Sequence, residues 1–387
     1  MGIMNRAAEK DGSKIKKGKG RKALWIILGL FLLFGGIAYW KAGSVFNKVS
    51  TNGGLFQNLI SAIPGVNDEV KGESEDRINI VVLGMRGANI PGGGTLADTI
   101  MVVSVKPKEN KVSMLSIPRD LYVDNPALGA KSKINAVYAY GEQKEVGQGL
   151  EDMKKVLEDV TGLPVHYGVV INFKGFSDLV DAIGGVDVDL QQPFSEPLQF
   201  NEARVCDDTV FTVPTGEFEI KKNKKNGKIT AQYPLCTNPD LECGGAFNLP
   251  AGKQTLNGEN ALCFVRARKS SSDFDRARRQ QLVIQEIKEK ALSLGTLTDF
   301  SKISDMLDSL GNNAQTDMQL WEMKKMFELY KGMVDPQMYQ RVLDDSSEGL
   351  LYFPPAEMYP GAGSILLPSG DNYDKIREMA QNIFSTK

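Results

Sequence analysis

The chain has 387 residues, 42% hydrophobic and 24% charged, an ordinary globular balance that excludes disorder throughout. Its single histidine, His166, excludes a zinc site built on several histidines and leaves one residue only for any Ser-His-Asp triad. The formal net charge of −2 hides an asymmetry: residues 1–22 hold eight basic and two acidic side chains, and the other 38 basic and 46 acidic residues make an acidic body, which is not the composition of a nucleic-acid-binding domain.

The basic tail, residues 1–22, runs into a stretch from Ala23 to Trp40 that carries no charge. Eighteen residues at about 1.5 Å each reach across a hydrocarbon core, so residues 23–42 are predicted to be a transmembrane helix, with Trp25 and Tyr39-Trp40 at the two interfaces. The positive charge ahead of it places the N-terminus in the cytoplasm and the body outside. The competing reading is a cleaved signal peptide; the apolar run is longer than a typical signal core, and Ala42-Gly43-Ser44 is a weak cleavage site.

Residues 43–77 read as an extracytoplasmic linker, with Gly53-Gly54, Pro64-Gly65 and a polar run before Ile78. From residue 78, strands are predicted at 78–84, 99–105 and 111–117, the last two as a hairpin across the Pro107 turn. Apolar residues at Leu150, Met153, Val156, Leu157 and Val160 give a helix over 148–161. A strand at 165–171, a helix at 173–183 closed by Gly184-Gly185, and a short strand at 186–190 follow. Residues 191–250 break the pattern and read as an insertion with a lysine-rich patch, Lys221 to Lys228. The sheet is expected to resume at 261–266, before helices at 276–294, 297–310 and 320–333. Residues 334–387 form a C-terminal extension with a last helix near 372–384. The alternation gives an α/β class: a central mixed sheet flanked by helices, in a domain spanning 78–333.

Cys206, Cys236, Cys243 and Cys263 lie within 58 residues. No C-x-x-C pair is present, so zinc is a poor reading. Outside the cytoplasm such a cluster forms disulfides, and Cys236–Cys243 is the expected pair because Asn238-Pro239-Asp240 can turn the chain between them. The plain alternative is buried thiols, with Cys263 as core.

The chain has 13 arginines, and Arg266, Arg268, Arg276, Arg278 and Arg279 fall in one 14-residue window. Arg266 and Arg268, two apart at an expected strand end, share a face; Arg276 and Arg279, three apart at a helix start, also share one. Guanidinium groups beside a helix N-terminus make a phosphate clamp. A solvated basic face is the bland reading, but lysines would serve there and Asp273 and Asp275 sit inside the cluster. Arg119-Asp120 follows one hairpin strand and Asp98 precedes the other, so both lie at one open end of the sheet. A carboxylate beside arginines suggests Mg²⁺ bridging to a pyrophosphate.

Several stretches resemble the LytR-CpsA-Psr family of bacterial cell-envelope proteins: LADTIMVVSV (96–105), SIPRDLYV (116–123), KINAVYAYG (133–141), GLPVHYGVVINFKGFSDLVDAIGGVDVDL (162–190) and ALCFVRARKSSSDFDRARRQQ (261–281). The resemblance implies a membrane-anchored phosphotransferase that moves a glycopolymer from a polyprenyl-pyrophosphate carrier onto peptidoglycan, at the 6-hydroxyl of N-acetylmuramic acid. It implies pyrophosphate binding by Arg119, Arg266, Arg268 and Arg276 with Gln280 nearby, a magnesium-linked Asp98, and Asp273 as proton acceptor. It further implies an apolar lipid cleft, with helices 148–161 and 173–183 as candidate walls. One departure stands out: where many members have Leu-Gly-x-Asp, this chain reads Leu83-Gly84-Met85-Arg86, so Arg86 replaces a metal-linked carboxylate and becomes a candidate phosphate contact. Two other functions use the same binding chemistry: hydrolysis of a lipid pyrophosphate, and a non-catalytic regulator that binds the lipid.

Overall fold

Strand β1 (Ile78–Met85) is apolar on both faces, and the two faces meet different neighbours. The computed structural model describes residues 69–385, apart from 89–93, 197–201, 204–212, 224–225, 238–246, 269, 294–305, 308 and 347–348. All of these belong to one compact unit, Asn47–Lys387. The expected tail, transmembrane helix and most of the linker lie outside the described residues. Among the described residues no helix is long and apolar enough to cross a membrane.

β1 is central in a six-stranded sheet. β2 (Ala97–Lys106) pairs with it antiparallel, and β3 (Lys111–Ser116) pairs antiparallel with β2, the expected hairpin. β4 (Tyr122–Asn125) and β5 (Ala130–Lys133) form a small separate hairpin, followed by α1 (Asn135–Lys144) and α2 (Gln148–Thr161). α2 ends at Gly162, whose φ of 66° supplies the left-handed cap. β6 (Tyr167–Asn172) then returns parallel to β1 on its other side.

Asn172 caps α3 (Phe173–Ala182) by accepting from Gly175 N at 2.9 Å. β7 (Val186–Leu190) and β8 (Phe194–Glu196) lead into the insertion, which holds β9 (Glu202–Ala203), β10 (Val213–Lys222) and β11 (Ile229–Thr237) as a three-stranded sheet. It leaves through β12 (Phe247–Leu249), paired with β8, and β13 (Gly252–Leu256), paired with β7.

The expected strand at 261–266 is a helix, α4 (Gly258–Arg266), capped by Asn257 accepting from Asn260 N at 2.9 Å. A five-residue apolar run fits either element, and here the Asn257 cap decides for a helix, with Ala261 to Val265 all buried. α5 (Asp273–Ser293) follows. The helix expected over 297–310 falls largely outside the described residues. β14 (Ala314–Thr316) joins the β6 edge, and α6 (Leu320–Gly332) starts with a capping box between Gln319 and Glu322.

Residues 334–387, expected as an extension, are built into the same body. β15 (Gln337–Val342) adds to the sheet parallel to β3. α7 (Asp374–Gln381) puts Ile376 and Ala380 into the main core with Val81, Leu83 and Met85 of β1 and the apolar faces of α1 and α2. On the opposite face, α6 covers Ile80, while α3, α4 and α5 form a second core around Val180, Phe264 and Val283. The result is an α/β/α layering with a mixed sheet.

Both described cysteines, Cys236 and Cys263, are disulfide-bonded. Cys263 is therefore not a simple core thiol. The expected Cys236–Cys243 pairing involves Cys243, which lies outside the described residues. The other three cysteines all fall between 206 and 243, so the Cys263 bond ties α4 to the insertion whichever partner it takes.

Candidate active site

The ends of β1 and β6 and the start of β2 lie at one edge of the sheet, where α3, α4 and α5 leave a cavity of about 550 Å³. Its floor is the half-buried face of β1 and β6, with Val82, Gly84, Val169 and Ile171. Phe173, Phe176 and Leu179 of α3, Leu262 and Val265 of α4, and Ile284 and Ile287 of α5 make the walls. The sequence signal was indirect: β1 has apolar residues on both faces, and this face is left part-exposed because the cavity lies over it. α3 forms a wall as expected. α2 does not, because its apolar residues pack on the other face of the sheet with Val81 and Leu83.

Arginines collect at the polar end. Arg86, Arg119, Arg266, Arg268 and Arg276 all line the cavity, with Asp98 and Gln280. Arg119, contributed by the turn after β3, lies 157 residues from Arg276 in sequence, and the two meet across Asp98. Arg119 Nη1 donates to Asp98 Oδ1 at 2.6 Å, and Arg276 Nη2 donates to Asp98 O at 3.3 Å. Asp273 sits among three guanidinium groups: Arg276 Nη1 at 3.3 Å, Arg268 Nη1 at 3.7 Å and Arg119 Nε at 3.7 Å. Arg266 stacks over the Phe173 ring, 4.2 Å from its centroid, which fixes the plane of its donors. Gln280 Nε2 donates to Val265 O at 3.3 Å, joining α5 to the end of α4.

Two expectations about this cluster change. Arg266 and Arg268 do not share a strand face; Arg266 closes α4, and both reach the cavity because the chain continues through Ala267 in an extended conformation (ψ 131°). Arg279 turns away from Arg276 and the cavity, toward the backbone carbonyls of Phe264 and Ala267. Asp120 also stays outside the lining. It accepts from Lys133 Nζ at 2.7 Å and stands 3.8 Å from Arg119 Nε.

The electrostatics follow from this packing. Burial works to lower the Arg119 pKa, but Asp98, Asp273 and Asp120 outweigh it and hold the pKa above the ordinary arginine value. Arg276, only 8% exposed, is shifted the other way, by burial and by the neighbouring Arg119 and Arg268 charges. Such crowding of positive charge in a part-buried site is costly without an anion. A doubly charged phosphate group placed there would relieve it, and the apolar cavity behind would take a hydrocarbon chain.

Among the described residues Asp98 is the single carboxylate that lines the cavity. Among the described residues no group of three or more His, Cys, Asp or Glu could hold a metal ion. The donor set therefore fits Mg²⁺ only as an ion held jointly by Asp98 and phosphate oxygens. Gly87, with φ of +106°, turns the chain directly after Arg86, whose side chain lines the cavity with its Nε and Nη2 buried.

A family model described as the LytR_cpsA_psr family matches residues 56–358. The chain is 30% identical over 262 residues to the polyisoprenyl-teichoic acid–peptidoglycan teichoic acid transferase TagU of Oceanobacillus iheyensis, covering 67% of this chain and 65% of that protein. It is 27% identical over 317 residues to the TagU of Bacillus anthracis, covering 80% of this chain and 84% of that one. Among solved structures the fold is similar to TagT bound to LIIa-WTA (TM-score 0.52, 21% identity, 84% of this chain and 96% of that chain) and to Bacillus subtilis TagV (TM-score 0.51, 21% identity, 80% and 98%).

Proposed function

The chain belongs to the LytR-CpsA-Psr family, and from that membership we propose that it is a glycopolymer phosphotransferase, taking a polymer from a polyprenyl-pyrophosphate carrier and joining it to peptidoglycan. The observation that carries this reading is the cavity itself: five arginines at one end and an apolar pocket at the other match a molecule with a pyrophosphate head and a hydrocarbon tail. The names of the relatives support teichoic acid as the polymer class and peptidoglycan as the acceptor.

In this reading Arg119, Arg266, Arg268 and Arg276 hold the two phosphates, with Arg86 as a further donor in the cavity lining and Gln280 fixing the end of α4. The acceptor hydroxyl, the 6-hydroxyl of N-acetylmuramic acid, attacks the phosphorus nearer the glycan. A new P–O bond forms, the bond to the bridging oxygen breaks, and polyprenyl phosphate leaves. The hydroxyl proton passes to Asp273, which the three surrounding guanidinium groups keep in place. The arginines neutralise the charge that shifts onto the leaving phosphate, the largest contribution the protein can make to phosphoryl transfer. Mg²⁺, when bound, would be held by Asp98 together with phosphate oxygens and would add to that neutralisation. Asp98 meanwhile orients Arg119 through the 2.6 Å contact.

The apolar stretch at 23–40 with basic residues before it supports a single-pass anchor that leaves the N-terminus in the cytoplasm and the catalytic domain outside, beside the lipid carrier. Disulfide-bonded Cys236 and Cys263 suit that oxidising side. The test is release of polyprenyl phosphate from a synthetic lipid-linked oligosaccharide with Mg²⁺ present. Release that requires peptidoglycan is the expected result. Release into water alone would make the protein a hydrolase, and binding with no release would make it a regulator.

A further inference from the structure

Three of the arginines and Asp273 are carried by one short segment, the end of α4, the turn 267–272 and the start of α5. Their spacing depends on what holds that turn, and the residues that hold it are outside the cavity lining. Arg279, on α5, reaches back under the turn. Its Nε donates to Phe264 O at 3.1 Å, and its Nη2 donates to Ala267 O and to Ser271 Oγ, the latter at 3.1 Å. Phe264 and Ala267 flank Arg266, so one guanidinium group satisfies carbonyls on both sides of a clamp residue. The Arg279 guanidinium also lies 5.1 Å from the centroid of the Phe194 ring, which packs edge-on against Phe264 at 5.2 Å.

The outer side of the turn is held from the insertion. Glu196, the last residue of β8, is fully buried. Both of its carboxylate oxygens lie 3.0 Å from Ser270 N, and Oε2 lies 3.1 Å from Ser270 Oγ, which is also 3.0 Å from Ser195 O. A buried carboxylate is expensive unless its hydrogen bonds and counter-charge are in place. Here it receives the Ser270 N–H and lies in the field of Arg279, whose pKa burial lowers and whose charge Asp275 and Glu196 support. The β8–β12 pair that carries Glu196 is the base of the insertion, and the Cys263 disulfide joins the same insertion to α4 one turn before Arg266.

We propose that Glu196 and Arg279 are positioning residues for the phosphate clamp: from opposite sides they fix the 267–272 turn, and the base of the insertion thereby sets the spacing of Arg266, Arg268 and Arg276. This rests on the functional reading above. It gives the insertion a role in the reaction, beyond decorating the surface.

The test separates phosphate recognition from the apolar pocket, using the full chain in detergent. Binding of geranylgeranyl pyrophosphate and of geranylgeraniol is measured for wild type, Glu196→Gln and Arg279→Lys. Glutamine puts an amide N–H₂ where a second acceptor was, and lysine cannot reach three acceptors at once. The expected result is an affinity for the pyrophosphate weaker by about tenfold in each variant, with the alcohol bound as in wild type. The milder Ser270→Ala, which keeps the N–H bond and loses only the hydroxyl, should fall between wild type and Glu196→Gln. Equal losses for pyrophosphate and alcohol would mean a general structural role and overturn the proposal, as would an unchanged pyrophosphate affinity in Glu196→Gln. A wild-type protein that binds neither ligand would overturn the functional reading and this inference with it.

Discussion

Arg266 is held by its neighbours more than by solvent: it ends α4, stacks over Phe173 at 4.2 Å, and lines the cavity. Charge-assisted hydrogen bonds lost from a desolvated phosphate site cost about 2–4 kcal/mol each, so Arg266→Ala should slow turnover of the lipid-linked donor by roughly two orders of magnitude. The melting temperature should move little, because the removed group stabilises bound phosphate and no core residue is lost; a thermal melt beside the rate measurement checks both. At this scale the sequence was informative. The density of arginines between 266 and 279 and the Asp98 and Arg119 pair identified residues that the fold brings to one cavity. Glu196 and Ser270 could not be found that way. A single glutamate at the edge of an irregular insertion carries no pattern, and only its complete burial against Ser270 marks it.

Elements with a clear period were legible. The 3.6-residue repeat of α2 gave its bounds, 148–161, and the three strands of the β1–β3 meander followed from apolar runs broken by glycine and proline. α4 was not legible as a helix, since its five consecutive buried residues, Ala261 to Val265, have no polar residue among them and read like an inner strand. Packing between elements also hides in the sequence. Lys154 on α2 and Asp317, before α6, are 163 residues apart, yet form a 2.6 Å ion pair with both residues less than 10% exposed. Asp317 Oδ1 further accepts from Gly168 N of β6 at 2.8 Å, so the pair joins α2, the β6 edge and the start of α6. Removing Asp317 leaves Lys154 only its 2.7 Å contact with the exposed Glu151 and takes the acceptor from the Gly168 N–H. Asp317→Ala should therefore destabilise the fold by about 2–3 kcal/mol in denaturant unfolding. A loss below about 1 kcal/mol would mean that water reaches Lys154 easily.

For the whole molecule, local sequence failed to show that residues 334–387 complete the fold. β15 pairs with β3 across more than 200 residues of chain, and Ile376, Ala380 and Ile383 enter the core beneath β1. Pairing over such distances is decided by register and by the apolar face left uncovered, neither of which a short window contains. The whole arrangement serves one edge of the sheet. Helices on one face pack tightly against it, while α3, α4 and α5 on the other stand off and leave the 550 Å³ space whose polar end the arginines line. The most direct measurement is a crystal structure with geranylgeranyl pyrophosphate bound. The account predicts both phosphates within hydrogen-bonding distance of Arg119, Arg266, Arg268 and Arg276, and the hydrocarbon chain running inward along Phe176, Leu179 and Ile284. Phosphates bound away from these arginines, or a chain lying outside the cavity, would contradict it.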